Sequence, residues 1–258
     1  MSDLILVILF SLIGGLFSLV GGILLLSSKK HAKKLAAYAT PFAAGALLSA
    51  AFVDLLGEVS HNGDIELALN FTMVGILVFF FLERFLRWFH HHHDDEDGQR
   101  HDHNHADTNL PLVIIGDTVH NFIDGIAIAA SFLISPSTGM ITTLAVAAHE
   151  IPQEIGDFGL MLHKGLSRKK VLMVNVISSL ATVVAAVTFY KFGQGANVPI
   201  DPILGLVAGF FIYVAVSDII PTIHQTKNNR IAAKQSLLLL AGVIIVTAAT
   251  RLLHGIVQ

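Results

Sequence analysis

The sequence predicts an all-α membrane protein with eight transmembrane helices, and three observations carry that expectation. Of its 258 residues, 53% are hydrophobic and 14% charged, with a mean hydropathy of +0.69, more apolar than a water-soluble domain of this size. Leu4 to Leu26 and Val171 to Tyr190 contain no charged residue, whereas a soluble helix interrupts its apolar runs with a polar face. Fourteen of the sixteen Lys and Arg residues fall in connections 28–37, 83–109, 163–170 and 224–235, the bias that marks cytoplasmic loops.

At about 20 apolar residues per crossing, the spans fall at 4–27, 38–60, 66–88, 110–133, 139–162, 171–190, 201–223 and 235–255. The first begins after Asp3 rather than after a basic segment and exceeds a secretory signal core in length, so it reads as a retained helix. Near the outer end of the second, Asp54 and Glu58 are spaced i, i+4 and form a candidate entrance. After the third span the chain changes character. Residues 90–107, HHHHDDEDGQRHDHNHAD, are too polar to pack or span, and form a cytoplasmic loop. Seven of the fourteen histidines lie there (His90, His91, His92, His93, His101, His103 and His105), as a weak multidentate trap for divalent cations or as a solvated linker.

Asn175, Ser178 and Ser179 in the sixth span read as helix contacts, since small polar side chains hydrogen-bond neighbouring helices inside a bundle. In the seventh, Asp218 and His224 flank Pro221 as a candidate relay or inner exit, and in the eighth Arg251 can extend to the outer interface. An even number of spans and the basic bias together place both termini outside the cytoplasm.

Ionisable side chains cost several kcal/mol in hydrocarbon and are functional candidates by default. They concentrate in spans four and five. In GDTVHNFIDGIAIAA, Asp117, His120 and Asp124 share one helical stripe with Asn121 beside it. In AAHEIPQEIGDFGLML, His149 and Gln153 are i, i+4, while Glu150, Glu154 and Asp157 occupy the adjoining face. Pro152 removes a backbone donor, which predicts a kink there, and Gly125, Gly156 and Gly159 are expected to let these two helices approach closely. If the stripes face each other, His120, Asp124, His149 and Gln153 form one site, with Asn121, Glu150 and Glu154 as a second. The chain has no cysteine, so any metal is held by imidazole, carboxylate, amide or water, a set that suits Zn(II), Fe(II), Mn(II) or Co(II).

At HNFIDGIAIA (120–129) and HEIPQEIGDFG (149–159) the sequence resembles the ZIP family of divalent metal transporters, closest to the branch with HNxxDG and HExPHExGD motifs. The resemblance covers the whole chain. It implies a single transporter domain over 1–258, inverted three-helix repeats around a central helix pair, homodimers, and uptake of zinc or a related divalent ion toward the cytoplasm through the plasma (inner) membrane. The family's metal positions fall on His120, Asn121, Asp124, His149, Glu150 and Gln153. Gln153 departs from the His or Glu usual there, Asp54 and Gly57 replace a His and Pro of the second span, and a glutamate of the sixth span has no counterpart.

Two other functions compete with transport. HEIPQ misses the H-E-x-x-H zinc-protease signature by one residue, but the second His is absent and Pro152 disrupts the helix that must aim both ligands. A metal sensor would use the His-rich loop without a conducting bundle. The partners expected are a divalent ion, the bilayer and a second copy, and no nucleic acid.

Overall fold

The computed structural model describes residues 3–92, 110–195, 198–226 and 228–257. Its elements are α1 (Asp3–Leu16), α2 (Leu19–Ser27), α3 (Lys29–Ser49), α4 (Leu56–Asn62), α5 (Ile65–His92), α6 (Leu110–Ile134), α7 (Pro136–His163), α8 (Arg168–Gly195), α9 (Ile200–Tyr213), α10 (Ile220–His224) and α11 (Asn229–Val257). Among the described residues there is no strand. Two six-residue π-helical stretches, Ala50–Leu55 and Val214–Ile219, join α3 to α4 and α9 to α10.

Seven helices are long and apolar enough to cross a membrane among the described residues. The sequence expectation of eight differs by α7. Its 28 residues reach about 42 Å at 1.5 Å per residue, but His149, Glu150, Gln153 and Glu154 lower its apolarity. Burial explains how such a helix is tolerated, since His149, Glu150 and Glu154 are all packed away inside the bundle. The helix also continues through Pro152 without interruption.

The helices pack in two groups. One holds α1, α2, α6, α7 and α8, with α6 against α8 as its largest interface, and the other pairs α5 with α9 and α3 with α11. Contact between α3 and α7 joins them. Backbone approaches are close in the second group: Gly45 lies against the Leu239 carbonyl and Gly242 against the Phe42 carbonyl, so α3 and α11 meet with no room for a side chain. On the outside, Leu69, Met73, Leu77, Phe81 and Phe85 form an exposed i, i+4 stripe along α5, a surface that suits lipid rather than water.

Two local expectations are corrected. Gly125 is a point of close approach, but to the Thr182 carbonyl of α8 rather than to α7, while a methyl group placed at Gly156 would meet no other helix within 4 Å and one at Gly159 only Leu25 at 3.7 Å. The polar loop expected from residue 90 begins later, because His90, His91 and His92 close α5. His93, His101, His103 and His105 lie outside the described residues.

Candidate metal centre

One residue, Ser135, separates α6 from α7, and it caps α7 by accepting from the Thr138 amide at 3.1 Å. The two helices therefore form a tight antiparallel hairpin, fastened further in by the 2.8 Å bond between Ser131 and Thr142. His120 lies 14 residues before the end of α6, and Glu150 lies 14 after the start of α7. At 1.5 Å per residue both sit about 21 Å from the turn. Sequence separation alone thus sets the polar residues at one depth.

The structure brings together His120, Asp124, His149 and Glu150, with donor atoms all within 4.8 Å of one another. His120 Nε2 is 3.1 Å from His149 Nε2, 3.3 Å from Glu150 Oε1 and 3.8 Å from Asp124 Oδ2. His149 Nε2 is 3.3 Å from Asp124 Oδ2 and 3.7 Å from Glu150 Oε1. A tetrahedral zinc with bonds of about 2.0–2.1 Å separates its ligands by roughly 3.4 Å. These edges bracket that value.

Protonation also fits. The Ala145 carbonyl, 3.1 Å from His149 Nδ1, can only accept, so neutral His149 carries its hydrogen on Nδ1 and turns the Nε2 lone pair toward the cluster. Neither oxygen of Asp124 or of Glu150 accepts a hydrogen bond from the described residues. Both residues are buried, and no Lys or Arg occurs between residues 117 and 157. Two carboxylates with two neutral imidazoles carry a formal charge that one divalent cation balances, whereas unpaired they are costly in a dry interior.

Aromatic rings wall the imidazoles in. Phe210 of α9 meets His120 edge-on at 5.3 Å between centroids, and Phe79 of α5 does so at 6.3 Å. Phe211 stands 6.3 Å from His149. Toward the hairpin turn, the buried side chains of Ile128, Ile141 and Val146 close the bundle. Away from it a cavity of about 460 Å³ opens. Its lining (Thr40, Glu83, Asp117, Asp157 and Thr222 among others) comes from the helix halves nearest the basic connections.

The remaining expected residues are distributed as follows. Gln153 and half-buried Asp157 line the cavity. Asn121 is committed elsewhere: its amide donates to the Asp117 carbonyl and Oδ1, both at 3.1 Å, and its oxygen accepts from Thr182 at 2.9 Å. Glu154 turns to α8, where Ser179 donates to it at 3.3 Å. The division expected from the stripes thus changes, with Glu150 joining the two histidines. Ser178 contacts Thr118 of α6 at 3.2 Å and Asn175 donates to the Met161 sulfur of α7 at 3.6 Å, both helix contacts as read from the sequence, while Asn175 also bonds the Val171 carbonyl of its own helix at 2.8 Å. Asp54 is buried within the first π-helical stretch, with half-buried Glu58 beyond it in α4. The Asp218 side chain is outside what the structure describes, and His224 is exposed at the end of α10.

The ring wall and Glu83 were missed at the sequence level. Glu83 stands in ERFLRW beside two arginines and reads there as an interfacial acid; only packing of α5 on α9 turns it to the cavity.

Comparison with known proteins gives the lineage. The family described as ZIP Zinc transporter matches residues 3–112 and 110–250. Similar relatives include zinc transporter ZIP4 of Mus musculus, 40% identical over 119 residues, which is 46% of this chain and 18% of that protein. Zinc transporter ZIP13 of Gallus gallus is 34% identical over 136 residues, 52% of this chain and 37% of that protein. Zinc transporter ZIP10 of Homo sapiens is 37% identical over 119 residues, 46% of this chain and 14% of that protein. The chain thus aligns with well under half the length of each. With nearly its whole length matched by the family and a bundle of apolar helices around a buried His, Asp and Glu cluster, the chain is an integral membrane protein belonging to the ZIP zinc transporter family.

Proposed function

We propose that the protein moves a divalent transition metal ion across the bilayer toward the cytoplasm, with zinc foremost and iron, manganese or cobalt as related cargo. The observation that carries this reading is the cluster of His120, Asp124, His149 and Glu150, whose two imidazoles line a cavity of about 460 Å³. A closed structural site would have no such channel, and a conducting site must let its ion leave. Fourteen of sixteen basic residues in the connections on the cavity side support an inward-facing arrangement with both termini extracytoplasmic, in a plasma membrane.

In this reading α7 is the fifth crossing and brings their number to eight, shielded from lipid by its neighbours, and residues 1–258 form one transport domain. Inverted repeats are supported by the two π-helical stretches. Each has Asp as its fifth residue, Asp54 or Asp218, and they occur in helices that cross in opposite senses. Asp54 and Glu58 serve the entrance, Asp117, Asp157, Asp218 and His224 the exit, and Glu154 the contact with α8. The His-rich segment modulates transport by holding cytoplasmic metal, and a second copy is the proposed partner, as the family resemblance implies. The family consists of transporters, which leaves HEIPQ as a ligand segment rather than a protease motif.

Mechanistically, Asp124 and Glu150 supply the charge that draws a cation from water, while the two imidazoles set geometry and a preference for borderline ions over Mg(II). Purified protein in proteoliposomes with a zinc-sensitive dye inside tests the reading. Zinc-dependent signal is expected from the wild-type chain and is lost in His120→Ala and Glu150→Ala; undiminished flux in both variants would sink the site.

A further inference from the structure

Three aromatic rings reach the cluster from helices that supply none of its four donors. Phe79 belongs to α5, and Phe210 and Phe211 to α9, whereas His120, Asp124, His149 and Glu150 lie on α6 and α7. The two neighbouring rings of α9 divide between the two imidazoles, Phe210 against His120 and Phe211 against His149. Phe79 braces Phe210 at 4.1 Å between centroids and meets the His120 ring almost perpendicularly, at 87°. Phe210 and Phe211 are buried, and Phe79 lines the cavity.

None of the three rings offers a ligand atom to an ion. What they control is water. Zinc is satisfied by four ligands in a tetrahedron, and the cluster offers four. Magnesium and manganese favour six-coordinate, oxygen-rich surroundings, and magnesium in particular keeps several of its waters. Carboxylates serve manganese well, so Asp124 and Glu150 by themselves would not turn it away. A six-coordinate ion needs room beside the imidazoles for further waters, and packed rings deny that room on the α9 side.

We propose that Phe210, braced by Phe79, determines specificity: its ring keeps water off the α9 side of His120, so that the bound ion stays four-coordinate and zinc is favoured over manganese. The apolar shell of a metal site governs solvent access in this way. Truncating Phe210 would leave a void bordered by an imidazole, and a void with polar partners takes up water. The inference rests on the reading of the cluster as a metal site, and it concerns binding, so its outcome is separable from that of transport.

The test uses the full chain in detergent. Competition between zinc and manganese gives the ratio of their affinities. Co(II) absorption reports coordination number, because four-coordinate Co(II) absorbs far more strongly in the visible than six-coordinate Co(II). His149→Ala, measured in parallel, supplies the background from the His-rich segment. Phe210→Ala is expected to lower the zinc-to-manganese ratio about tenfold, the scale of an outer-shell loss, and to weaken the Co(II) bands. Phe210→Leu, which keeps an apolar side chain in place, should retain most of the wild-type ratio and bands. Phe79→Ala should shift both readouts in the same direction by a smaller factor, and it decides the matter if Phe210→Ala does not fold. A purely structural role would weaken both metals alike. An unchanged ratio, an unchanged Co(II) spectrum, or a loss as large with leucine as with alanine would each overturn the proposal. Zinc binding without flux in the wild-type chain removes only the transport reading, whereas zinc binding no greater than in His149→Ala removes the metal site and this inference together.

Discussion

His120 and His149 meet Nε2 to Nε2 at 3.1 Å across the α6–α7 hairpin. Two imidazole nitrogens at that distance share a single hydrogen at most, or a single cation. The Ala145 carbonyl already holds the Nδ1 hydrogen of His149, so the pair is organised to place lone pairs in one small volume.

Removing either imidazole should therefore weaken metal binding severely. His149→Ala and His120→Ala are each expected to lose more than the roughly 10- to 100-fold that deletion of an outer-shell partner costs. Calorimetric titration of purified protein with zinc checks this, and affinity within threefold of wild type in both would contradict it.

Asp124 and Glu150, as proposed ligands, are expected to couple metal binding to stability. A ligand that binds only the folded state stabilises it by about 2.7 kcal/mol at 100 times its Kd, so zinc should raise the melting temperature of the wild-type protein. Asp124→Asn removes a buried charge from a cluster with no basic neighbour. Its metal-free form should melt at least as high as the metal-free wild type, and its response to zinc should shrink. A variant that melts lower without metal and keeps the full zinc response would refute the assignment.

The two glycines make opposite predictions. At Gly125 any side chain meets the Thr182 carbonyl, so Gly125→Val should separate α6 from α8 and cost about 1–3 kcal/mol. A methyl group at Gly156 would point into open space, and Gly156→Ala is expected to be neutral or to gain up to about 1 kcal/mol from helix propensity. Thermal unfolding in a mild detergent distinguishes them, and equal losses at both positions would count against this helix packing.

Gln153 faces the cavity beside His120 and Asp157. With an amide there, the wild-type chain is expected to bind one zinc per protomer in the bundle. Gln153→His places an imidazole in that wall and should raise affinity or bring a second ion, read by metal analysis after gel filtration of protein lacking residues 93–109. Unchanged stoichiometry and affinity would show that residue 153 does not reach the ion.

Much of this architecture was legible from local pattern. Charge-free runs marked the crossings, and His120, Asp124, His149 and Glu150 stood out because an ionisable group in an apolar helix has few reasons to be there. What escaped reading depends on a third helix. Asn121 turns to Thr182, Glu154 to Ser179 and Gly125 to the Thr182 backbone, all on α8. Periodicity gives the angle between side chains on one helix, not which neighbour each will meet. Glu83 was hidden for the same reason, since the Tyr213 hydroxyl that donates to it is 130 residues away.

The single-residue link at Ser135 has a further consequence. All four donors of the cluster lie within residues 120–150, on one uninterrupted hairpin, so their mutual spacing owes little to helices made before or after it. During synthesis the cradle is complete in outline once α7 has emerged, before α8 to α11 exist. Segments elsewhere in the chain can then drift over generations, lengthening loops or altering lipid-facing surfaces, while the proposed grip on the ion is inherited as one compact piece.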